Sequence, residues 1–361
     1  MTRLRRLLIF DGTASVFRAW NAFRLHSLTG PNGRPVHGIH GAATFVLSVL
    51  RAVRPTHAVV VFDPRRGETF RKTLCADYKA TRPPLESDLR WNLSEMMGVF
   101  ETMGVPCLSR SGFEADDVIA ALATREMTRE GDDGVDAVHM FTIDKDLFQV
   151  LEATPGTTPY QEHRRITQLL PKKNSKYTVS PDLGDAAIDT MLCTNFESMD
   201  ANAVQLKLGV PPSRIVDYLA LVGDRVDNIP GVKGIGPKRA AKLLSPTEFD
   251  YDSVEAVLEA ARCQDSRMQP SVRRNLLQGG DKALLSRSLV ELQRTEGEQE
   301  GYTLSLPPLS ALSTEDISDQ HLDDLKKEYG LQKVADLAQK LAAELEADRF
   351  EADRIRAANP E

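Results

Sequence analysis

Glu114, Asp116 and Asp117 crowd into four positions of GFEADDVIAAL, and the chain then turns apolar. Acids at such a place can do two things. They can cap a helix, accepting its free N–H groups and suiting the positive end of its dipole. They can also hold a divalent cation. Six more aspartates stand at comparable points: Asp11 after LLIF, Asp63 after AVVVF, Asp144 and Asp146 after VHMFTI, and Asp224 and Asp227 in LVGDRVDNIP. Carboxylates without organised His or Cys suit Mg²⁺, which keeps several waters and shares its shell with substrate phosphates. Two such ions ~3.5–4 Å apart can activate a water and shelter the leaving oxygen of a phosphodiester. Nine acids are enough for two ions, so the chemistry to expect is metal-dependent phosphoryl transfer to water.

The elements that must position these acids are legible in the apolar runs. LLIF (7–10), AVVVF (58–62) and VHMFTI (138–143) are continuous, as parallel strands covered on both faces should be. Helical spacing of Ala42, Phe45, Val46, Val49, Leu50 and Val53, and of residues 115–127, alternates with them. This predicts an α/β fold with a mainly parallel sheet. Ligands of such sheets bind at the carboxyl ends of the strands. One Asp after a strand is a turn residue; three of three, with a fourth group beside them, predict a shared pocket. Asp224 and Asp227 would share a face if helical. The weakly patterned stretch 160–198, with the loop-like PKKNSKY at 171–177, marks a domain connection.

At 361 residues two domains are expected. No apolar run approaches the ~18 residues of a membrane span, and a strand by Leu7 predicts no leader peptide. The four cysteines form no C-x-x-C pair, which argues against structural zinc and for a reducing compartment. Net charge is −7, but the 13 acids and 7 bases from Glu315 to Glu361 account for −6 of it. Local patches therefore matter more than the total. In that tail Val334, Leu337, Ala338, Leu341 and Leu345 make one apolar stripe, expected to pack on the body.

Two basic segments bear on substrate. FRKTLCADYKATRPP (70–84) sets Arg71, Lys72, Lys79 and Arg82 around Tyr78, a mixture suited to single-stranded nucleic acid or to a plain solvated loop. GVKGIGPKRAAKLL offers a glycine turn and a helix start with Lys238, Arg239 and Lys242. It could present backbone N–H groups to a phosphate, though it lacks the spacing of a nucleotide-binding P-loop.

FDGTASVFRAW, VVFDPRRGETFRKTLCADYKATRPP, GFEADDVIAALA, TIDKDLFQVL and GDRVDNIPGVKGIGPKRAAKLL together resemble the 5′-nuclease (flap endonuclease) family, in its bacterial and phage branch. The likeness includes the 5′→3′ exonuclease domain of bacterial DNA polymerase I and extends to about Leu306. It implies a catalytic α/β domain over 1–195, of PIN/resolvase-like sheet architecture, with a helical arch at about 67–98. A helical DNA-binding domain over 196–310, with a helix–three-turn–helix at about 218–245, and a charged tail over 311–361 would follow. Asp11, Asp63, Glu114, Asp116 and Asp117 fall on acids of the first metal site, and Asp144, Asp146, Asp224 and Asp227 on those extending to the second. Asp116 and Asp146 are thereby also implied as catalytic, with Lys79 and Arg82 of the arch. Arg18 and Arg71 match phosphate-holding positions, and Tyr78 a base-stacking one. Gly231, Lys233, Gly234, Gly236, Lys238 and Arg239 match the element that grips the duplex, where backbone carbonyls could hold K⁺.

The resemblance thus implies a nuclease using Mg²⁺, with Mn²⁺ as a substitute, on DNA carrying a 5′ flap or end, RNA-primed ends included. Contact with DNA needs only a monomer and no membrane. Cytoplasm or nucleoid is the expected place, or an organelle in a eukaryotic source. Two features depart from the family: a longer connection at about 155–195, and an end without a polymerase region, which implies a stand-alone nuclease. A catalytically inactive clamp of the same fold is the competing reading, and a related metal-dependent ribonuclease a third. All nine acid positions are filled, which favours catalysis.

Overall fold

The computed structural model describes residues 4–24, 28–65, 68–129, 134–151, 165–172, 185–313 and 319–358. The chain opens with β1 (Arg6–Asp11), α1 (Gly12–Phe23), α2 (His37–Val53) and β2 (His57–Val61). α3 (Phe70–Leu74), α4 (Ser87–Thr102), β3 (Cys107–Leu108), α5 (Ala115–Thr128) and β4 (Ala137–Phe141) follow. A 3₁₀ turn (Lys145–Val150) leads to β5 (Arg165–Pro171), α6 (Asp185–Asn195) and β6 (Phe196–Met199). Next come α7 (Ala201–Leu208), α8 (Ile215–Val222), α9 (Pro237–Leu244), α10 (Val254–Arg262) and α11 (Pro270–Val290). A hairpin of β7 (Gly297–Gln299) and β8 (Tyr302–Leu304) precedes α12 (Asp319–Tyr329) and α13 (Gln332–Ala358).

One six-stranded sheet runs β3-β2-β1-β4-β5-β6, parallel except for β6. The strand runs are continuously apolar because both sheet faces are covered. In β1, Leu7 and Ile9 join a core with Val118 and Ile119 of α5 and with α8, α10 and α11. Leu8 and Phe10 join a second core built on α1, α2, α4 and α13. The expected strands at 7–10, 58–62 and 138–143 are thus β1, β2 and β4, side by side, with β1 in the middle. Asp11 ends β1 and pairs in register with Val61 of β2; Asp63 and Asp144 follow their strands within three residues.

The expected tail stripe packs as read. Val334, Ala338 and Leu341 are buried on the α2 side of the sheet, with Leu337 and Leu345 partly buried beside them. Arg54 Nη1 bonds Asp348 at 3.0 Å across the same seam. Three expectations change. The segment 67–98, expected as a helical arch, is helical in two pieces: α3 stops at Leu74, turns lead on to Arg82, and Pro83 and Pro84 keep the chain out of α conformation until Ser87. Asp224 and Asp227 lie in a turn closed by the bridge between Asp224 and Ile229, not on a helix. Within the expected insertion, β5 and α6 are regular and β5 extends the sheet. Residues 152–164 and 173–184, with most of PKKNSKY, lie outside the described residues.

Helix–turn–helix geometry does stand at 218–245. α8 ends at Gly223, the chain turns through Gly231 and Gly234, and Pro237 opens α9. The turn is tight enough that a Cβ on Gly231, at φ 58°, would come within 2.6 Å of the Val222 carbonyl carbon. Only glycine fits there. Among the described residues no helix is long and apolar enough to cross a membrane.

Candidate active site

The carboxyl edge of β2-β1-β4 carries the acids, and local hydrogen bonds aim three of them. Asp11 caps α1 through Oδ1, which accepts from Ala14 N at 2.8 Å, while its Oδ2 accepts from Thr142 Oγ1 at 3.0 Å. Asp63 Oδ1 accepts from Ala115 N at 2.8 Å, which ties the end of β2 to the start of α5. Asp144 Oδ1 accepts from Asp146 N at 2.9 Å. Asp116 has no such anchor: its Oδ1 is buried and meets no hydrogen-bond donor.

Electrostatics shows that five of the acids face one another. Burial pushes the Asp11 carboxyl up to about 7, eased by the Ala14 N–H and worsened by Asp63. Burial, then Asp144, raises Asp146 to about 8. Asp116 is held well above the usual carboxylate range by burial and then by Asp144, Asp11, Asp63 and Asp146. Asp63 and Asp144 are also raised, burial leading in both. Asp63 keeps an exposed side chain, so solvent screens its share of the repulsion. An orphaned buried oxygen among four like charges is a place that wants a cation. Among the described residues no three acidic, His or Cys groups close tightly enough to hold an ion alone.

The other four expected ligands are engaged by the protein's own cations. Glu114 accepts from Lys79 Nζ at 2.6 Å and from Tyr78 OH at 2.9 Å. Against a burial that would raise it, Lys79 and Arg71 hold its carboxyl below the ordinary value. Asp227 takes Arg82 Nε at 2.9 Å and lies 3.9 Å from Lys79 Nζ. Asp224 takes Lys145 Nζ at 2.8 Å; burial works upward on it, but Lys145 and the Val226 N–H bring it down. Asp224 and Asp227 also act on Asp146, so their turn borders the pocket.

Asp117 is a correction. Fully buried, it receives Arg71 Nη1 and Nη2 at 2.7 and 2.8 Å, Glu114 N at 3.0 Å and Gln293 N at 3.0 Å. With both oxygens saturated it has nothing to offer a metal, and together with Glu114 it forms the capping box of α5. The two roles weighed for this acidic stretch are divided between neighbours: Asp117 caps, and Asp116 is left for ligation. Arg71 is likewise not a phosphate holder, because it is 1% exposed and also donates to the carbonyls of Leu289 and Glu291. Tyr78 is 4% exposed behind Glu114, with no free ring face for a base.

Lys79 and Arg82 do reach the site, on a turn pinned where Lys79 N donates to Asp227 O at 2.9 Å. Burial works against its charge, yet Glu114 and Asp227 raise the Lys79 amine above its ordinary value. Arg18 lies in a shallow recess beside the Asp11 edge, with Ser15, Thr142 and Ile143, its guanidinium 4.3 Å from the Phe45 ring centroid. In the hairpin Lys233, Gly234, Gly236, Lys238 and Arg239 are exposed and Gly231 is buried. Arg239 donates to the Gly234 carbonyl at 2.6 Å. Sequence reasoning missed Lys145, legible as the base between Asp144 and Asp146, and Thr142, one residue beyond β4. It also missed Gln149 and Gln168, for which no pattern in the sequence gives a signal.

The site is thus the acidic carboxyl edge of a mainly parallel sheet, followed by a helical region with a glycine turn. A family model described as 5′-3′ exonuclease, N-terminal resolvase-like domain, matches residues 6–177, and one described as 5′-3′ exonuclease, C-terminal SAM fold, matches 210–300. The 5′-3′ exonuclease of Aquifex aeolicus is 32% identical over 256 residues, covering 71% of this chain and 73% of its own. The chain belongs to the 5′-3′ exonuclease family. DNA polymerase I of Caldicellulosiruptor bescii is 31% identical over 287 residues, 80% of this chain but 29% of that polymerase, so the chain spans less than a third of such relatives. In fold it is similar to the phage T5 D15 protein co-crystallised with metal ions, at TM-score 0.56 and 15% identity over 94% of this chain and all of that one. The T5 D15 flap endonuclease has also been solved in a pseudo-enzyme-product complex with DNA and metal ions, at TM-score 0.56 and 16% identity, over 95% of this chain and all of that one.

Proposed function

We propose that this chain is a divalent-metal-dependent 5′→3′ exonuclease and flap endonuclease acting on DNA, with Mg²⁺ as the ion. The observation that carries the reading is the buried, donor-less Asp116 Oδ1 facing Asp11, Asp63, Asp144 and Asp146. Those five carboxylates, with Asp224 and Asp227 at the border, would hold two ions, with Mn²⁺ able to substitute. Bound there, the metal supplies an activated water and neutralises charge on the phosphate and leaving oxygen.

The chain's own residues do the rest. Lys79, protonated because Glu114 and Asp227 face it, is a fixed cation for a phosphate and not a base. Arg82, its side chain 48% exposed, can swing from Asp227 to an incoming strand. Arg18 borders the other side of the recess. The hairpin from Gly231 to Arg239 offers backbone N–H groups and three exposed bases to a duplex backbone, and its carbonyls are the place to look for K⁺. The domain limits read from the sequence serve as working boundaries, with 67–98 as the arch, built of two helices and the turns between them. A monomer suffices for this chemistry.

Incubating the protein with a labelled 5′-flap duplex, in Mg²⁺ and in EDTA, tests the reading. Metal-dependent release of the flap is expected. Binding without any product in Mg²⁺ or Mn²⁺ would favour the inert clamp, and cleavage of RNA alone the ribonuclease.

A further inference from the structure

Two buried glutamines grip the main chain that carries Asp144 and Asp146, one from each side. Gln168 of β5 is completely buried, and its Nε2 donates to the carbonyls of Thr142, at 3.2 Å, and Asp144, at 2.7 Å. These two carbonyls flank Ile143, so a single amide nitrogen closes the bend by which the chain leaves β4. Its own oxygen meets no donor; the amide serves there as a donor only. Gln149, also completely buried, donates from Nε2 to the Asp146 carbonyl at 2.8 Å and to the Val290 carbonyl at 3.0 Å. Its Oε1 accepts from Leu292 N at 3.0 Å. The loop of the two aspartates is thereby fastened to the last turn of α11, in the region that follows the hairpin.

We infer that Gln149 and Gln168 are positioning residues which set the Asp144 and Asp146 carboxylates for metal by holding the main chain from Thr142 to Asp146. This rests on the reading of those aspartates as metal ligands. Neither glutamine faces the pocket, and neither is assigned contact with substrate. A side chain that orients a ligand from behind typically changes metal affinity or activity about 10–100-fold when lost. The geometry also makes Gln149 the direct hydrogen-bonded tie between Asp146 and the end of α11.

The test uses Gln149→Met and Gln168→Met, which keep side-chain volume and remove the donors. Mn²⁺ alone is titrated by calorimetry into the full DNA-free chain, and flap cleavage is followed against Mg²⁺ concentration. Both variants should bind Mn²⁺ about tenfold or more weakly, and should need correspondingly more Mg²⁺ for half-maximal cleavage. Affinity for the flap duplex in EDTA should stay unchanged. Leu50→Ala, in the core on the other sheet face, supplies a destabilised control whose Mn²⁺ affinity should match the unaltered protein. Should a Met variant not fold, Gln149→Leu and Gln168→Leu remove the same donors without adding charge. Mn²⁺ affinity in the folded variants equal to that of the unaltered protein would overturn the positioning role alone. A loss matched by Leu50→Ala would overturn it too, by reducing it to general stability. No Mn²⁺ binding by the unaltered protein would overturn the metal reading and this one with it.

Discussion

Asp116 separates what this site does from what merely builds it. Its oxygen lacks a donor, and four other carboxylates raise it, so without a cation it stresses the fold. Asp116→Asn should therefore lower cleavage by more than about a hundredfold, exceeding the usual effect of an outer-shell loss, and leave duplex affinity in EDTA nearly unchanged. The same substitution should raise the melting temperature in EDTA, because an amide escapes the repulsion that an ionising Asp116 meets from its neighbours; a lower melting temperature would mark Asp116 as structural. The pH dependence follows with a definite sign. Asp11 and Asp146 rise from 3.8 to about 7 and about 8, so the metal-free folded state keeps protons that the unfolded chain has released. Its stability should fall as pH climbs through that window. Mg²⁺ binds the ionised form, so it should raise the melting temperature more at pH 8 than at pH 5. An Mg²⁺ effect equal at both pH values would remove these carboxylates as ligands. Residue types also explain what could and could not be read beforehand. An Asp directly after an apolar run announces its place, since the strand's direction fixes where it emerges. Arg71 and Tyr78 look the same in sequence whether they face DNA or Asp117 and Glu114.

At the scale of elements, β1, β2 and β4 were legible because burial on both faces leaves an unbroken apolar run, and the capping box was legible as acids ahead of α5. The interruption between α3 and α4 is signalled by Pro83 and Pro84, which cannot continue a helix. β5 interrupts its apolar residues with Arg165, Thr167 and Gln168, so nothing in the sequence announces that it extends the sheet. Two predictions belong here. Arg71 joins α3 to α5 and to the end of α11 through Asp117, Leu289 and Glu291, so Arg71→Ala leaves a fully buried carboxylate unpaired. It should lower unfolding free energy by about 3–5 kcal/mol in a denaturant titration; a phosphate-holding residue would instead weaken DNA binding and leave stability alone. α13 seals α2 through Leu341, which is 2% exposed. Leu341→Ala should destabilise by about 2–4 kcal/mol and leave cleavage at 25 °C unaltered, since this seam lies across the sheet from the hairpin helices. Lost cleavage in a folded Leu341→Ala protein would give the tail a part in the reaction.

Across the whole molecule, the proposed function asks a protein of net charge −7 to hold a polyanion, and its charges are unevenly placed. Residues 315–361 hold −6 of that charge, and α12 and α13 within them pack on the α2 side of the sheet, whereas α9 carries Lys238, Arg239 and Lys242 with no acid. The acids of the pocket, which would repel DNA if bare, become part of the attraction once cations fill it. Affinity for a flap duplex should therefore fall linearly in log–log form with salt, by a slope of about 0.9 for each phosphate neutralised. Lys233→Ala, Lys238→Ala and Arg239→Ala should each weaken binding alike on duplexes of different sequence and reduce that slope by about one. Neutralising Asp323, Asp336 and Glu346, exposed acids of the tail, changes net charge by as much as removing three bases would, yet should leave the slope where it was. If the tail and hairpin variants moved the slope equally, total charge and not the patch at α9 would govern binding, and the hairpin would lose its place as the duplex grip.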